Sequence, residues 1–73
     1  MKKMAIDLYK SADVYGKGSI GRAIDITKVV DGASYDPGTW ITPFYIIVPD
    51  DQEEITRELI KESGLVIAGE EEE

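Results

Sequence analysis

The chain has 73 residues, of which eight are basic and fifteen acidic, and its net charge is −7. Histidine and cysteine are both absent, which excludes Ser/His/Asp and Cys/His catalytic groups, disulfide bonds and the usual Cys/His zinc sites. A chain this short folds as one domain with little stability in reserve, so we expect residues 1–69 to form a single compact unit that depends on its apolar core.

The N-terminal segment predicts a strand. Met4–Lys10 alternates between apolar and other side chains, with Met4, Ile6 and Leu8 on one face. The apolar stretch behind Lys2 and Lys3 stops at Asp7, which is too short for a signal peptide, and no run approaches the length of a membrane span. We therefore expect a cytoplasmic protein. Ser11–Ser19, rich in small and polar residues, is typical of a loop.

Residues Ile20–Val30 allow two interpretations. The β-branched run and Gly21 favour a second strand, in which Ile24 and Ile26 share one face. The alternative is a helix, because Ile20 and Ile24 lie four residues apart. We predict the strand, and the helix over residues 18–30 remains the open alternative.

Turns and a third strand follow. Asp31–Thr39 contains Asp31-Gly32 and Asp36-Pro37-Gly38, both of which favour turns. Trp40–Val48 is apolar on both alternating faces, which predicts a central strand covered on both sides. Pro43 cannot donate a ladder hydrogen bond, so we expect firm pairing only from Phe44 to Val48.

A C-terminal amphipathic helix is the clearest element. Asp50 or Asp51 can cap it, Gly64 can end it in a Schellman motif, and Leu65 would then contact Ile60. The expected buried stripe is Ile55, Leu59 and Ile60. Leu65–Ala68 predicts a short last strand, and residues 70–73, all glutamate, predict a disordered acidic tail.

Together these elements predict an α+β fold. We expect a small antiparallel β-sheet, curled toward an SH3-like, partly open barrel, packed against one C-terminal amphipathic helix. The alternative is an open β/α sandwich in which residues 18–30 are helical. Ten isoleucines, no asparagine and abundant glutamate are typical of thermophile proteins.

A glycine motif lies between the first two predicted strands. Gly16-Lys17-Gly18-Ser19-Ile20-Gly21 matches G-x-G-x-x-G, and with Arg22-Ala23 it resembles the glycine-rich loop of protein kinases. That resemblance implies a phosphate held by backbone N–H groups and Lys17. A dinucleotide-binding loop opens a helix, whereas we expect a strand here, so we favour a simple hairpin connection.

The stretch Gly18–Ile26 also resembles the early strand of KOW-type, SH3-like small barrels, many of which bind RNA or protein. The resemblance implies a basic and aromatic binding face, formed by Tyr9, Lys10, Tyr15, Lys17, Arg22 and Lys28. The acidic net charge opposes binding to a phosphate backbone. Nucleic-acid binding is therefore the second choice.

Charge is unevenly distributed. Residues 1–28 carry six basic and three acidic groups, a net of +3, whereas residues 29–73 carry two and twelve, a net of −10. Asp50, Asp51, Glu53 and Glu54 begin the predicted helix, where capping is the expected role and catalysis is not. Trp40, the one tryptophan, is expected to close the core, with an interface anchor as the alternative.

These observations favour a small acidic, non-catalytic protein-binding or regulatory module without cofactor or metal. The expected partner is a protein or a second copy of the chain. Nucleic-acid binding by a KOW-type barrel and phosphate or nucleotide binding at Gly16–Gly21 are the alternatives. The candidate binding residues are Tyr15, Lys17, Gly18, Arg22 and Trp40.

Overall fold

The computed structural model describes residues 1–8 and 18–72. Within these residues, four strands and two helices follow one another in the order β-α-β-β-α-β. The strands are β1 (Lys2–Ile6), β2 (Ser34–Asp36), β3 (Phe44–Val48) and β4 (Ile67–Glu72), and the helices are α1 (Ser19–Val29) and α2 (Glu53–Glu62), the latter entered through a 3₁₀ turn at Asp50–Gln52. The fold is therefore α+β, and the described residues contain two helices where the sequence predicted one.

The four strands form one open antiparallel sheet in the order β2-β3-β1-β4. Because β1 and β3 are central, each helix connects strands that are not neighbours in the sheet. This β-α-β-β-α-β connectivity is the split β-α-β arrangement. The sheet has two edges, β2 and β4, so the expected barrel is wrong.

Both helices contribute to one core on one face of the sheet. Alternate residues of the central strands supply its floor, since antiparallel partners share a face: Met4, Ile6, Phe44, Ile46 and Val48 are each at most 1% exposed. Ala23 and Ile26 from α1, and Ile60 from α2, cover them. Tyr45 and Ile47 lie on the opposite face and are only partly buried, so the prediction that β3 is covered on both sides is wrong.

Residues 19–29 form helix α1, so the strand predicted for Ile20–Val30 is wrong and the helical alternative is correct. The buried positions of α1, which are Ser19, Ala23, Ile26 and Thr27, follow a helical spacing. Burial of this stripe outweighs the strand propensity of the β-branched residues. Gly21 is exposed, so its missing side chain costs no packing.

The segment between α1 and β3 combines turns with a short strand. Gly32 and Gly38 adopt positive φ values of 75° and 74°, which agrees with the two predicted turns. Between them, Ser34–Asp36 pairs with β3 as edge strand β2, which the turn prediction missed. The firm pairing of β3 from Phe44 to Val48 is confirmed.

Helix α2 ends as expected but begins differently. The amide of Leu65 donates to the Ile60 carbonyl and that of Gly64 to the Lys61 carbonyl, both at 3.1 Å, while Gly64 has φ 76°, which is a Schellman motif. Neither Asp50 nor Asp51 caps the helix through its side chain. The buried stripe is Thr56 and Ile60 with Leu59 beside them, and Ile55 is exposed because it lies off that i, i+4 line.

Strand β4 includes residues assigned to the acidic tail. Glu70, Glu71 and Glu72 pair in register with Met4, Lys3 and Lys2 of β1. Because side chains alternate between the two faces of a strand, Glu70 and Glu72 lie on the face that the helices cover. There Arg57 of α2 pairs with Glu70, and Lys2 pairs with Glu72. Positive side chains of β1 and α2 thus offset the negative charges of these glutamates.

Candidate functional site

Among the described residues, the most exposed large apolar side chain, Trp40, lies in the loop between β2 and β3. Trp40 is 94% exposed and Ile41 70%, although the domain has few large apolar side chains to spare for its core. The expectation that Trp40 closes the core is therefore wrong. Tryptophan and its neighbours at such positions typically anchor contacts with other molecules.

Hydrogen bonds hold this loop in one shape. The Thr39 amide donates to the Thr42 hydroxyl at 2.8 Å, and the amides of Ile41 and Thr42 both donate to the Thr39 hydroxyl at 3.2 Å. The two threonine hydroxyls lie 3.0 Å apart. These bonds enclose Trp40, so its backbone is positioned before any partner arrives.

The base of the loop is closed by Asp36 and Gly38. The Gly38 amide donates to the Asp36 carboxylate at 2.9 Å, which makes an Asx turn. A Cβ atom at Gly38 would lie 2.6 Å from the Thr42 carbonyl oxygen and still closer to that of Pro43. Position 38 therefore requires glycine both for its positive φ and for this close backbone approach.

A partly open cavity of about 560 Å³ lies beside the loop. It is bounded by the end of β1, the start of β4 and the loop itself, because Ile6 pairs with both Phe44 and Ile67. Its walls are mainly apolar, with Asp7 as the charged residue on its lining. We call Trp40, Ile41 and the apolar cavity residues Leu8, Pro43 and Ala68 the Trp40 surface.

The predicted binding residues do not form one site within residues 1–8 and 18–72. Tyr15 and Lys17 lie outside the described residues. Gly18 precedes α1, and the Arg22 guanidinium donates to the carbonyl of Ser63 at the end of α2. Arg22 therefore joins the two helices, whereas Trp40 stands on the hairpin loop.

The glycine motif opens a helix. Since α1 begins at Ser19, the objection that a strand follows Gly16–Gly21 is wrong. The first turn of α1 carries no acidic residue, and Gly16 and Lys17 lie outside the described part of the chain. A helix start and a glycine pattern alone do not make an anion site, so this motif keeps the status of a hypothesis.

The basic and aromatic face expected from the KOW resemblance loses its basis. The resemblance was based on a predicted strand over Gly18–Ile26, but residues 19–26 belong to helix α1. Of the six residues named for that face, Tyr9, Lys10, Tyr15 and Lys17 lie outside the described residues. Arg22 is bound to Ser63, and Lys28 lies 4.0 Å from Asp25 on the exposed side of α1.

The opposite end of the sheet is charged. There Arg57 of α2 binds Glu70 of β4 in a bidentate pair, with Nε–Oε2 at 2.9 Å and Nη2–Oε1 at 2.6 Å, and it also binds Glu53 at 2.8 Å. Hydrogen bonding to Arg57 holds the pKa of the Glu70 carboxyl below its usual value. The same bond raises the pKa of the Arg57 guanidinium.

Three carboxylates cluster beside this network. Oxygens of Asp50, Glu53 and Glu72 lie within 4.8 Å of one another. The Lys2 ammonium lies 3.7 Å from Glu53 and 3.5 Å from Glu72, and the terminal ammonium of Met1 lies 3.4 Å from Asp50. The protein's own cations thus already balance these charges. We call Asp50, Asp51, Glu53, Glu71 and Glu72 the acidic end.

Sequence reasoning found Trp40 but missed the rest of its surface. Ile41 was assigned to a buried strand face, and Thr39 and Thr42 carried no recognised signal. The spacing Thr39-x-x-Thr42 beside Asp36-Pro37-Gly38 is a loop signature that could have been read, because Ser, Thr and Asp side chains bond nearby backbone groups.

Comparisons with known proteins add no relative: no family model, no curated protein and no solved structure matches the chain. Neither helix of the described residues is long and apolar enough to cross a membrane.

Proposed function

We propose that the chain is a non-catalytic protein-binding module that contacts its partner through the Trp40 surface. The observation that carries this proposal is the 94% exposure of Trp40 on a loop fixed by its own hydrogen bonds. Loop ordering is then largely complete before binding, which lowers the entropy cost of association. Hot spots of protein interfaces are enriched in tryptophan.

The net charge of the chain indicates what kind of protein surface it attracts. With a net charge of −7, the module attracts proteins whose surface is basic around an apolar pocket. Trp40 and Ile41 would fill that pocket, and the charge would steer the encounter. Nucleic acid is disfavoured by the same charge.

The lack of catalytic function is part of the proposal. Hydrogen bonding to Arg57 lowers the pKa of the Glu70 carboxyl and so holds it ionised. A carboxyl poised for proton transfer near neutral pH needs the opposite shift. The cavity beside Trp40 is partly open and mainly apolar, which suits a contact surface.

Affinity capture with matched variants tests the proposal. Tagged wild type, Trp40→Ala and Val29→Ala are used as baits in a lysate of the native host, and captured proteins are then purified for titration calorimetry. Val29 is the control because it is also apolar and 72% exposed, yet lies on α1 away from the loop.

We expect Trp40→Ala to weaken the affinity at least about 30-fold, the effect of a hot-spot residue, and Val29→Ala to change it less than about twofold. Equal binding by all three baits would contradict the proposal. So would capture that depends on Val29 and not on Trp40.

A further inference from the structure

We infer that the cavity beside Trp40 receives a short peptide segment of the partner protein, in which a large apolar side chain lies within two positions of a lysine or an arginine. The apolar side chain enters the cavity, and the basic group contacts Asp7. This inference rests on the proposed function, because it specifies what the partner presents to the Trp40 surface.

The size and the walls of the cavity fit a peptide segment. Its volume of about 560 Å³ is within the range of roughly 300–1,000 Å³ that ligand sites of proteins occupy. Its apolar walls come from separate parts of the chain, which are Leu8 after β1, Pro43 before β3 and Ala68 in β4. Pro43 and Ala68 are exposed, so an apolar side chain that covers them removes their surface from water. The walls therefore favour an aliphatic or aromatic side chain.

Asp7 supplies negative charge to the same cavity. Among the described residues that line it, Asp7 is the charged one. Its backbone amide donates to the Val66 carbonyl at 2.8 Å, which holds this part of the chain against the segment that leads into β4. Thr39 and Thr42 also line the cavity, but their hydroxyls bond to each other and to loop amides. Asp7 is therefore the lining residue that distinguishes a basic ligand from an acidic one.

Trp40 adds a second preference for a basic group. Its indole also lines the cavity and is 94% exposed. The face of an aromatic ring attracts ammonium and guanidinium groups, and tryptophan does so most strongly. Arginine gains further, because its planar group stacks on the ring. A cation of the partner thus finds an aromatic face and a carboxylate on one lining.

The charge of the whole chain agrees with this choice of ligand. The net charge of −7 attracts cationic segments and repels acidic ones. Asp36, whose carboxylate accepts the Gly38 amide at the base of the loop, adds a negative charge to the loop itself. A phosphate backbone or an acidic peptide would place like charges next to Asp7.

Selection from a phage library of short random peptides tests the inference. The baits are wild type, Asp7→Asn and Asp51→Asn. Asp51 is the matched control, because Asp51→Asn removes the same charge from an exposed position at the acidic end. We expect wild type and Asp51→Asn to enrich peptides that combine a large apolar residue with a nearby lysine or arginine. Asp7→Asn should still enrich the apolar residue, with a reduced preference for basic ones.

A double-mutant cycle measures the contact itself. An enriched peptide, and its variant with glutamine in place of the basic residue, are titrated against each bait, and the fluorescence of Trp40, the one tryptophan, reports binding. We expect the glutamine peptide to bind wild type about fivefold more weakly, as for a charge pair near a surface, and Asp7→Asn to bind the two peptides within about twofold. Amide chemical shifts of wild type, which need no variant to fold, should change most at residues 6–8 and 39–43.

Three results of the selection and the cycle would overturn the inference: no enrichment by wild type, enrichment without basic residues, or a charge preference in Asp7→Asn equal to that of wild type. Amide shift changes confined to residues outside 6–8 and 39–43 would overturn it as well. Each of these results leaves the proposed function standing if a protein captured from the lysate binds through Trp40. The proposed function fails separately, when Trp40→Ala captures and binds every partner as well as wild type does.

Discussion

The two ends of the sheet differ in how their side chains meet solvent. Where β3 begins, Trp40 and Ile41 extend into water from a loop that is held by hydrogen bonds between Thr39 and Thr42. Where β3 ends, charged side chains from β1, α2 and β4 pair with one another. At the acidic end, charged side chains of different elements pair with one another and so hold the fold together, whereas Trp40 and Ile41 at the loop end are largely exposed to solvent. That contrast is the reason for placing function at the loop.

We expect the largest difference in stability between substitutions of two aromatic residues, Phe44 and Trp40. Phe44 begins β3, is 1% exposed and stacks on Tyr35 at 5.6 Å, whereas Trp40 is four residues earlier and open to solvent. We expect Phe44→Ala to lower the free energy of unfolding by about 3–5 kcal/mol. Trp40→Ala should change it by less than about 0.5 kcal/mol.

Urea unfolding followed by circular dichroism measures both values. A loss of stability in Trp40→Ala comparable to that in Phe44→Ala would show that Trp40 belongs to the core, and the contrast between the two ends would collapse.

A pair of glycine substitutions sharpens the claim that the loop is held in one shape. Gly38→Ala places a side chain at a φ of 74°, which costs about 1–2 kcal/mol, and brings it against the Thr42 carbonyl. Gly21→Ala lies on the exposed side of α1 with nothing within 4 Å, so it should stabilise the helix by about 0.5–1 kcal/mol.

Thermal unfolding gives the sign of each change. Opposite signs support the account. A neutral Gly38→Ala would mean that the loop does not need its left-handed residue, and that Trp40 is not fixed in place before binding.

At the acidic end, Arg57 tests whether paired charges hold β4 in the sheet. Replacing it with Gln removes the bidentate partner of Glu70 and leaves the glutamates of β4 facing one another. We expect faster hydrogen exchange at residues 70–72 than in wild type. Lys61→Gln, which removes an exposed cation from the same helix, should leave that exchange unchanged. Equal exchange in both variants would show that backbone pairing with β1 suffices.

The same pair predicts a pH dependence. Because hydrogen bonding to Arg57 places the pKa of Glu70 in the folded state below its unfolded value, the stabilisation is complete above the unfolded pKa, about 4.3, and is lost as the pH falls through the folded pKa. The difference in unfolding free energy between wild type and Glu70→Gln should therefore be smaller at pH 3 than at pH 7.

Glu58→Gln is the control for this measurement, because Glu58 is exposed on α2 and lies outside the pair. Its difference from wild type should change less with pH. If the difference between wild type and Glu70→Gln is constant or grows on acidification, the stabilising role of the Arg57–Glu70 ion pair is contradicted.

Residues that act through their own backbone geometry predicted part of this fold, whereas other elements depend on contacts between residues distant in sequence. The Schellman end of α2 and the start of firm pairing at Phe44 followed from Gly64 and Pro43, which act through their own backbone geometry. Helix α1 was missed because its β-branched residues favour a strand and only packing against the sheet overrides them. A short last strand was predicted at Leu65–Ala68, but its extension through Glu72 was missed because these glutamates pair with Arg57 and Lys2, which are distant in sequence.

The candidate site was harder to predict. Trp40 was identified as noteworthy, but an apolar residue at the start of a predicted strand is usually placed in a core. Its exposure follows from the turn at Gly38 and the bonds of Thr39 and Thr42, which lift residues 39–42 out of the β3 ladder. The exposure of Trp40 therefore depends on hydrogen bonds that form only when the loop has folded.

The most direct test of binding through the Trp40 surface is hydrogen exchange of the chain, measured alone and in complex with the protein that the tagged chain captures. The account predicts that binding slows exchange at residues 38–42, where the loop surrounds Trp40, and leaves residues 50–53 and 70–72 of the acidic end unchanged. Slowed exchange at the acidic end, with residues 38–42 unaffected, would contradict it.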